Sequence, residues 1–229
     1  FSPDEKKIIL IKQVSFDKSI AKKEADLPLA TGMVVNDLMF RHWDEYVTSI
    51  PQPFVADFNG NEVSNEKNIL GTEPYECPMK PFGGTEQLAW SPDGKKIAYT
   101  CRKKTGVAYA ISTDSDIFLY NTEDGSTLNL CKPEGYKAPE VDNTTSLQNQ
   151  SINRNSVDCN MGYDTNPSFS ADGKYIAWQS MERDGYESDR NRLCVMDLTN
   201  HTKQYVTEWF ESGVDAFIWN ADSKSLYFS

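Results

Sequence analysis

Apolar residues in this chain come in short runs closed by polar turns, and the runs repeat. Four segments align without gaps: Phe1-Ser-Pro-Asp-Glu-Lys-Lys-Ile-Ile-Leu10, Trp90-Ser-Pro-Asp-Gly-Lys-Lys-Ile-Ala-Tyr99, Phe169-Ser-Ala-Asp-Gly-Lys-Tyr-Ile-Ala-Trp178 and Trp219-Asn-Ala-Asp-Ser-Lys-Ser-Leu-Tyr-Phe228. The aromatic ends one strand, Asp and Gly bend the chain, Lys faces water, and the apolar run begins the next strand. A second element follows each of the first three. Phe54–Gly60, Ile117–Gly125 and Leu193–Asn200 each read as a strand entering a polar turn, with a short apolar run behind it at Ile69-Leu70, Leu128–Leu130 and Gln204–Val206. Two hairpins per unit make a four-stranded blade. The pattern therefore predicts an all-β, partial β-propeller of WD-like blades over residues 1–229, about three and a half blades long.

Spacing locates two insertions. The repeated Ser or Asn falls at 2, 91, 170 and 220, giving intervals of 89, 79 and 50 residues, against roughly 40–50 for a compact blade. The first excess lies inside the first blade, at about residues 15–53. Here Met39, Trp43, Tyr46 and Val47 recur at helical spacing, Asn36 can cap the helix, and Asp37 favours its N-terminus. Arg41, Asp44 and Glu45 lie off the apolar stripe, facing water or a ligand. The second excess, about 132–163, is rich in Asn, Ser, Gln and Thr and reads as a long polar surface loop. The chain opens and closes in the same hairpin type, as if cut from a longer array. An open arc leaves strand edges for the rest of the ring, further copies or other chains to cover, so a homo-oligomer is one option.

Composition narrows the function. With 38% hydrophobic residues the chain supports a sizeable core, and its net charge of −11 without a basic stripe argues against nucleic acid and anionic membranes. No apolar stretch approaches a membrane span. The five cysteines show no metal-site spacing, so no metal or other cofactor is expected. Cys101, Cys131 and Cys194 sit in apolar runs as small buried thiols. Cys77 and Cys159 sit in loop-like segments, where an oxidising compartment allows pairing with a neighbour.

Catalytic signals are absent. There is no G-x-S-x-G elbow, P-loop or G-x-G-x-x-G turn. The two histidines read as a turn residue (His201) and a packing residue (His42), so a Ser-His-Asp triad within the chain is not expected. Asp114-Ser-Asp116 and the turn aspartates 4, 93, 172 and 222 suggest cation binding, but strand-entry and turn chemistry explains them better. Asn143-Thr-Thr, Asn149-Gln-Ser and Asn200-His-Thr match a common glycosylation pattern.

The blade repeats resemble two groups: Tol-associated periplasmic propellers and the propellers of prolyl oligopeptidase-family serine peptidases. Asn36-Asp-Leu-Met-Phe-Arg-His-Trp-Asp-Glu-Tyr-Val47, followed by Pro53-Phe-Val-Ala-Asp57, is similar to the bacterial dipeptidyl-peptidase type, where such a helix interrupts an early blade. That resemblance implies an exported protein, periplasmic or secreted, whose propeller caps an α/β-hydrolase domain that this chain lacks. It implies a peptide substrate whose free α-amino group is held by acidic side chains, here Asp44 and Glu45. The alternative is a Tol-associated type of scaffold for protein–protein interaction. A third reading, a module for sugars or other small ligands, needs an aromatic-lined pocket.

Overall fold

A computed structural model of the chain describes residues 1–15, 19–34, 47–81, 83–136 and 159–229. Among these described residues, thirteen strands form four antiparallel sheets. The first blade has three strands, β1 (Lys7–Ser15), β2 (Ser49–Phe58) and β3 (Val63–Asn68). The second has four, β4 (Leu88–Trp90), β5 (Lys96–Cys101), β6 (Asp116–Asn121) and β7 (Thr127–Asn129). The third repeats that meander with β8 (Asp164–Phe169), β9 (Tyr175–Ser180), β10 (Arg192–Asp197) and β11 (Lys203–Tyr205). A final hairpin pairs β12 (Phe217–Trp219) with β13 (Leu226–Phe228). The repeated four-stranded blade defines a β-propeller, as the pattern predicted.

The central strands are apolar at nearly every position because both of their faces are buried. In β5, Ile97, Tyr99 and Cys101 pack toward the first blade, whereas Ala98 packs toward the third. Ile176 and Trp178 of β9 return that contact, and Ala177 faces the last hairpin. The cores thus lie between blades, and each side chain like these contributes about 1.5–3 kcal/mol on full burial.

The repeat works through a serine. Ser2, Ser91 and Ser170 are buried, and each hydroxyl donates to the Asp two residues on, at 2.6–2.7 Å. The same oxygen accepts the backbone N–H five residues on at 2.9–3.0 Å. Gly94 and Gly173 occupy the left-handed region, with φ of 69° and 70°; Glu5 and Ser223 take the same conformation in the outer copies. Successive turns also interlock. A methyl group at Gly94 would lie 3.7 Å from Pro3, and one at Gly173 would lie 3.5 Å from Pro92. Where Pro becomes Ala171 and Gly becomes Ser223, the Asp172 N–H donates to the Ser223 hydroxyl instead, at 2.9 Å.

Because strands alternate in direction, the connections divide between two faces. The repeat turns and the β2–β3, β6–β7 and β10–β11 turns share one, the turn face. The β1–β2, β3–β4, β5–β6, β7–β8, β9–β10 and β11–β12 connections share the other, the loop face. Both insertions leave from the loop face. The β1–β2 ladder continues to Ser15↔Ser49, so strand β2 occupies Ser49 to Pro53, the last part of the interval assigned to the first insertion from sequence. The helix expected over Asp37–Val47 falls almost wholly outside the described residues. Two short helices had no sequence signal: α1 (Ile20–Lys23) in the first insertion, and α2 (Gly106–Ile111) between β5 and β6. Six residues are too few to show a helical period. Among the described residues no helix is long and apolar enough to cross a membrane.

Candidate functional site at the loop face

Asp44 and Glu45, the acidic pair expected to hold an amine, lie outside the described residues. His42 lies outside them too. His201 is exposed in the β10–β11 turn at φ 60°, on the turn face, away from the loop connections.

What the structure does gather on the loop face is a buried charge cluster between the second and third blades. Asp114 and Asp116 stand at the entry to β6, and Lys132 follows the end of β7. The Lys132 ammonium, 3% exposed, lies 2.9 Å from Asp114 Oδ1 and 2.6 Å from Asp116 Oδ1. It also donates to the Asn160 carbonyl. Lys104 reaches the second oxygen of Asp114 at 2.9 Å. Burial opposes the Lys132 charge, but Asp116 and Asp114 outweigh it and hold its ammonium above the usual lysine range. Asp114 and Asp116, assigned from sequence to strand-entry chemistry, thus do hold a cation, and it is the chain's own lysine. Sequence reading missed it, because nothing local links position 132 to positions 114 and 116.

Asp164 completes the cluster. It is fully buried, accepting from the Trp178 indole at 2.8 Å and from the Asn160 amide at 2.9 Å. Burial pushes its carboxyl up to about 6, against the pull of Lys132 and of the Ser180 and Asn160 hydrogen bonds. Asp116, Cys131 and Asp164 bring ligand-type atoms within 4.8 Å of one another, the one such grouping among the described residues. The donor set does not fit one well. Lys132 already neutralises Asp116, Asp164 is engaged by Trp178 and Asn160, and burial holds the Cys131 thiol well above the usual range, away from the thiolate a metal needs.

Two further contacts tie neighbouring blades on this face. Asp184, from the β9–β10 connection, accepts from the Ser112 hydroxyl and the Thr113 N–H, both at 2.7 Å. Arg102 stacks against Tyr109 and Tyr163, with ring centroids at 4.7 and 5.4 Å, and donates to the Tyr163 hydroxyl at 2.8 Å. Tyr109 in turn donates to the buried Glu76 carboxylate. These groups cross-link loops, and none of them forms a nucleophile–base pair. All five cysteines are free thiols. Cys77 is not the loop thiol that its sequence context suggests: it is wholly buried in the core between the first two blades, and burial raises its pKa well above the usual range.

No family model matches the chain. Its sequence relatives are consistent in kind. Dipeptidyl-peptidase 5 of Porphyromonas gingivalis is 46% identical over 228 residues, covering 100% of this chain and 30% of that protein. The Porphyromonas endodontalis protein of the same name is 42% identical over 86% of this chain and 25% of its own length. A probable dipeptidyl-peptidase 5 of Arthroderma benhamiae is 30% identical over 90% of this chain and 27% of its own length. Among solved structures, putative TolB from Agrobacterium tumefaciens gives a TM-score of 0.43 at 14% identity, covering 78% of this chain and 45% of that one. The tricorn protease gives the same TM-score and identity over 78% of this chain and 13% of its own. The blades define the class, a β-propeller. Within it, this chain is a propeller segment related along its whole length to dipeptidyl-peptidase proteins, and it spans about 30% of the P. gingivalis relative.

Proposed function

We propose that this chain is the non-catalytic propeller portion of an exported serine exopeptidase of dipeptidyl-peptidase type. It restricts access to a catalytic α/β-hydrolase domain elsewhere in the parent protein and helps position the peptide's N-terminus. The observation that carries the reading is the 46% identity, across the whole chain, to a dipeptidyl-peptidase. Both insertions leave from one face, which supports a gating role for that face. On this reading Asp44 and Glu45 hold the substrate ammonium, whose charge must be balanced once it leaves water.

The test is peptidase activity of the full-length parent on chromogenic dipeptides with free and blocked N-termini, before and after Asp44→Ala and Glu45→Ala. Cleavage that needs the free amine and falls in either variant is expected. Cleavage indifferent to both variants removes the anchor and leaves the propeller assignment standing. A parent that cleaves no peptide and has no hydrolase domain overturns the assignment and favours a Tol-associated type of scaffold.

A further inference from the structure

An Asn or Asp followed by Gly is the pair most open to attack by its own backbone, because glycine puts no side chain beside the nitrogen that attacks. The chain has five such pairs: Asn59-Gly60, Asp93-Gly94, Asp124-Gly125, Asp172-Gly173 and Asp184-Gly185. All five glycines take positive φ, yet four of them have the nitrogen engaged. The Gly94, Gly125 and Gly173 N–H groups donate to the Ser91, Asn121 and Ser170 carbonyls, each at 2.9 Å. Gly185 donates to the Thr113 hydroxyl at the same distance. Hydrogen bonds from Ser126 and Ser170 hold the Asp124 and Asp172 carboxyls below the usual range, in the anionic form that resists a nucleophile.

Asn59-Gly60, in the β2–β3 turn, is the exception. Both residues are exposed, and the Gly60 N–H makes no hydrogen bond among the described residues. A methyl group placed on Gly60 would meet nothing within 4 Å, so the turn is open around that nitrogen. The neighbouring carbonyl is the activated one. Asn59 Oδ1 accepts the Asn61 N–H at 3.1 Å and the Glu62 N–H at 2.9 Å. Two N–H groups aimed at one carbonyl oxygen stabilise the negative charge that develops there when a nucleophile adds to the carbon.

We infer that Asn59 is a site of spontaneous deamidation, at which the chain modifies its own β2–β3 turn. The Gly60 nitrogen gives up its proton to hydroxide and attacks Asn59 Cγ. The Cγ–Nδ2 bond breaks, and ammonia leaves with a proton from water, closing a succinimide ring. Water then opens the ring on either side. Breaking the bond from Cγ to the Gly60 nitrogen gives aspartate; breaking the bond from the main-chain carbonyl to that nitrogen gives isoaspartate, whose main chain runs through the former side chain. One water is consumed and one ammonia released, with no oxidant or reductant. Either product adds a negative charge. Isoaspartate also lengthens by one carbon a turn closed by the Asn59 N–H to Glu62 carbonyl bond at 3.3 Å, which loosens β3, an exposed strand paired with β2 alone. The inference does not depend on the proposed function.

Peptide mapping by mass spectrometry of the full-length parent, aged at mildly alkaline pH and digested in acid, tests it. Asn59 should exchange its amide for an acid ahead of every other asparagine, in proportion to hydroxide, and yield both aspartate and isoaspartate. Asn59→Gln, whose longer side chain needs a larger ring, should lose the reaction, and Gly60→Ala should slow it. Unfolding in guanidinium frees the other four glycine nitrogens. Isoaspartate at Asp93, Asp124, Asp172 and Asp184 should then rise about twofold to tenfold over the folded protein, the worth of one hydrogen bond. An Asn59 that keeps its amide overturns the inference. Conversion to aspartate alone, which is direct hydrolysis without a ring, overturns it too. Isoaspartate forming in the folded protein as fast at the four Asp-Gly pairs as at Asn59 removes the role given to the Gly60 nitrogen, and the inference with it.

Discussion

Lys132 shows how much one side chain can carry. Its ammonium balances Asp114 and Asp116 where water cannot, and it also closes the start of the β7–β8 connection against Asn160. Removing one partner of such a buried group leaves charge uncompensated, at about 3–5 kcal/mol. Lys132→Met should lower stability by that amount in denaturant unfolding. Adding Asp114→Asn and Asp116→Asn should recover most of it, because the cost lies in the unpaired carboxylates. Asp164 makes a second, pH-dependent prediction. Its folded pKa of about 6 lies above the unfolded value of 3.8, so between these values the folded chain binds a proton that the unfolded chain does not. The contribution of this group is therefore fully present below about pH 3.8, falls as pH rises through 6, and is absent by about pH 7.5. Wild type compared with Asp164→Asn should show a stability difference that shifts against wild type from pH 5 to 7.5, by about 1.4 kcal/mol. Trp178 emission, isolated with a Trp178→Phe control, should titrate with a midpoint near 6.

At the scale of elements, the repeated hairpin depends on its serine. Ser91→Ala removes the donor to Asp93 and strands the Lys96 N–H in a part-buried turn. Equilibrium unfolding should register about 1–3 kcal/mol, and Ser170→Ala should cost the same in its own blade. This hub explains why the blades were legible. Ser, Asp, Gly and Lys each have one fixed duty in the turn, so the motif survives the substitutions around it. Strand β5 was legible for a different reason: burial on both faces leaves Ile97-Ala98-Tyr99 no polar position. The helix α2 was not legible, since it is held by tertiary contacts of Tyr109 and carries no period of its own. Cys77 was misread because it is a core residue supplied by a connection, and connections read as surface. The candidate site was half legible. The paired aspartates at 114 and 116 stood out but were assigned to strand-entry chemistry; that they hold a cation, Lys132, depends on how the start of β6 meets the end of β7.

Across the whole molecule, the interlocked turns have a mechanical consequence. Pro3 on Gly94, Pro92 on Gly173 and Asp172 on Ser223 form a row of pivots along one rim, and these pivots set the pitch from blade to blade. The opposite rim is then free to grow, because added chain there does not alter that pitch. A pair of glycines inserted after Gly173 should cost on the order of 2–4 kcal/mol by breaking a serine hub and a pivot. The same pair inserted after Glu187 should cost about 0.6 kcal/mol or less, the entropy of a longer loop; thermal unfolding of the two variants checks the contrast. Loops on the open rim can thus lengthen and change what that rim presents without rebuilding the blades.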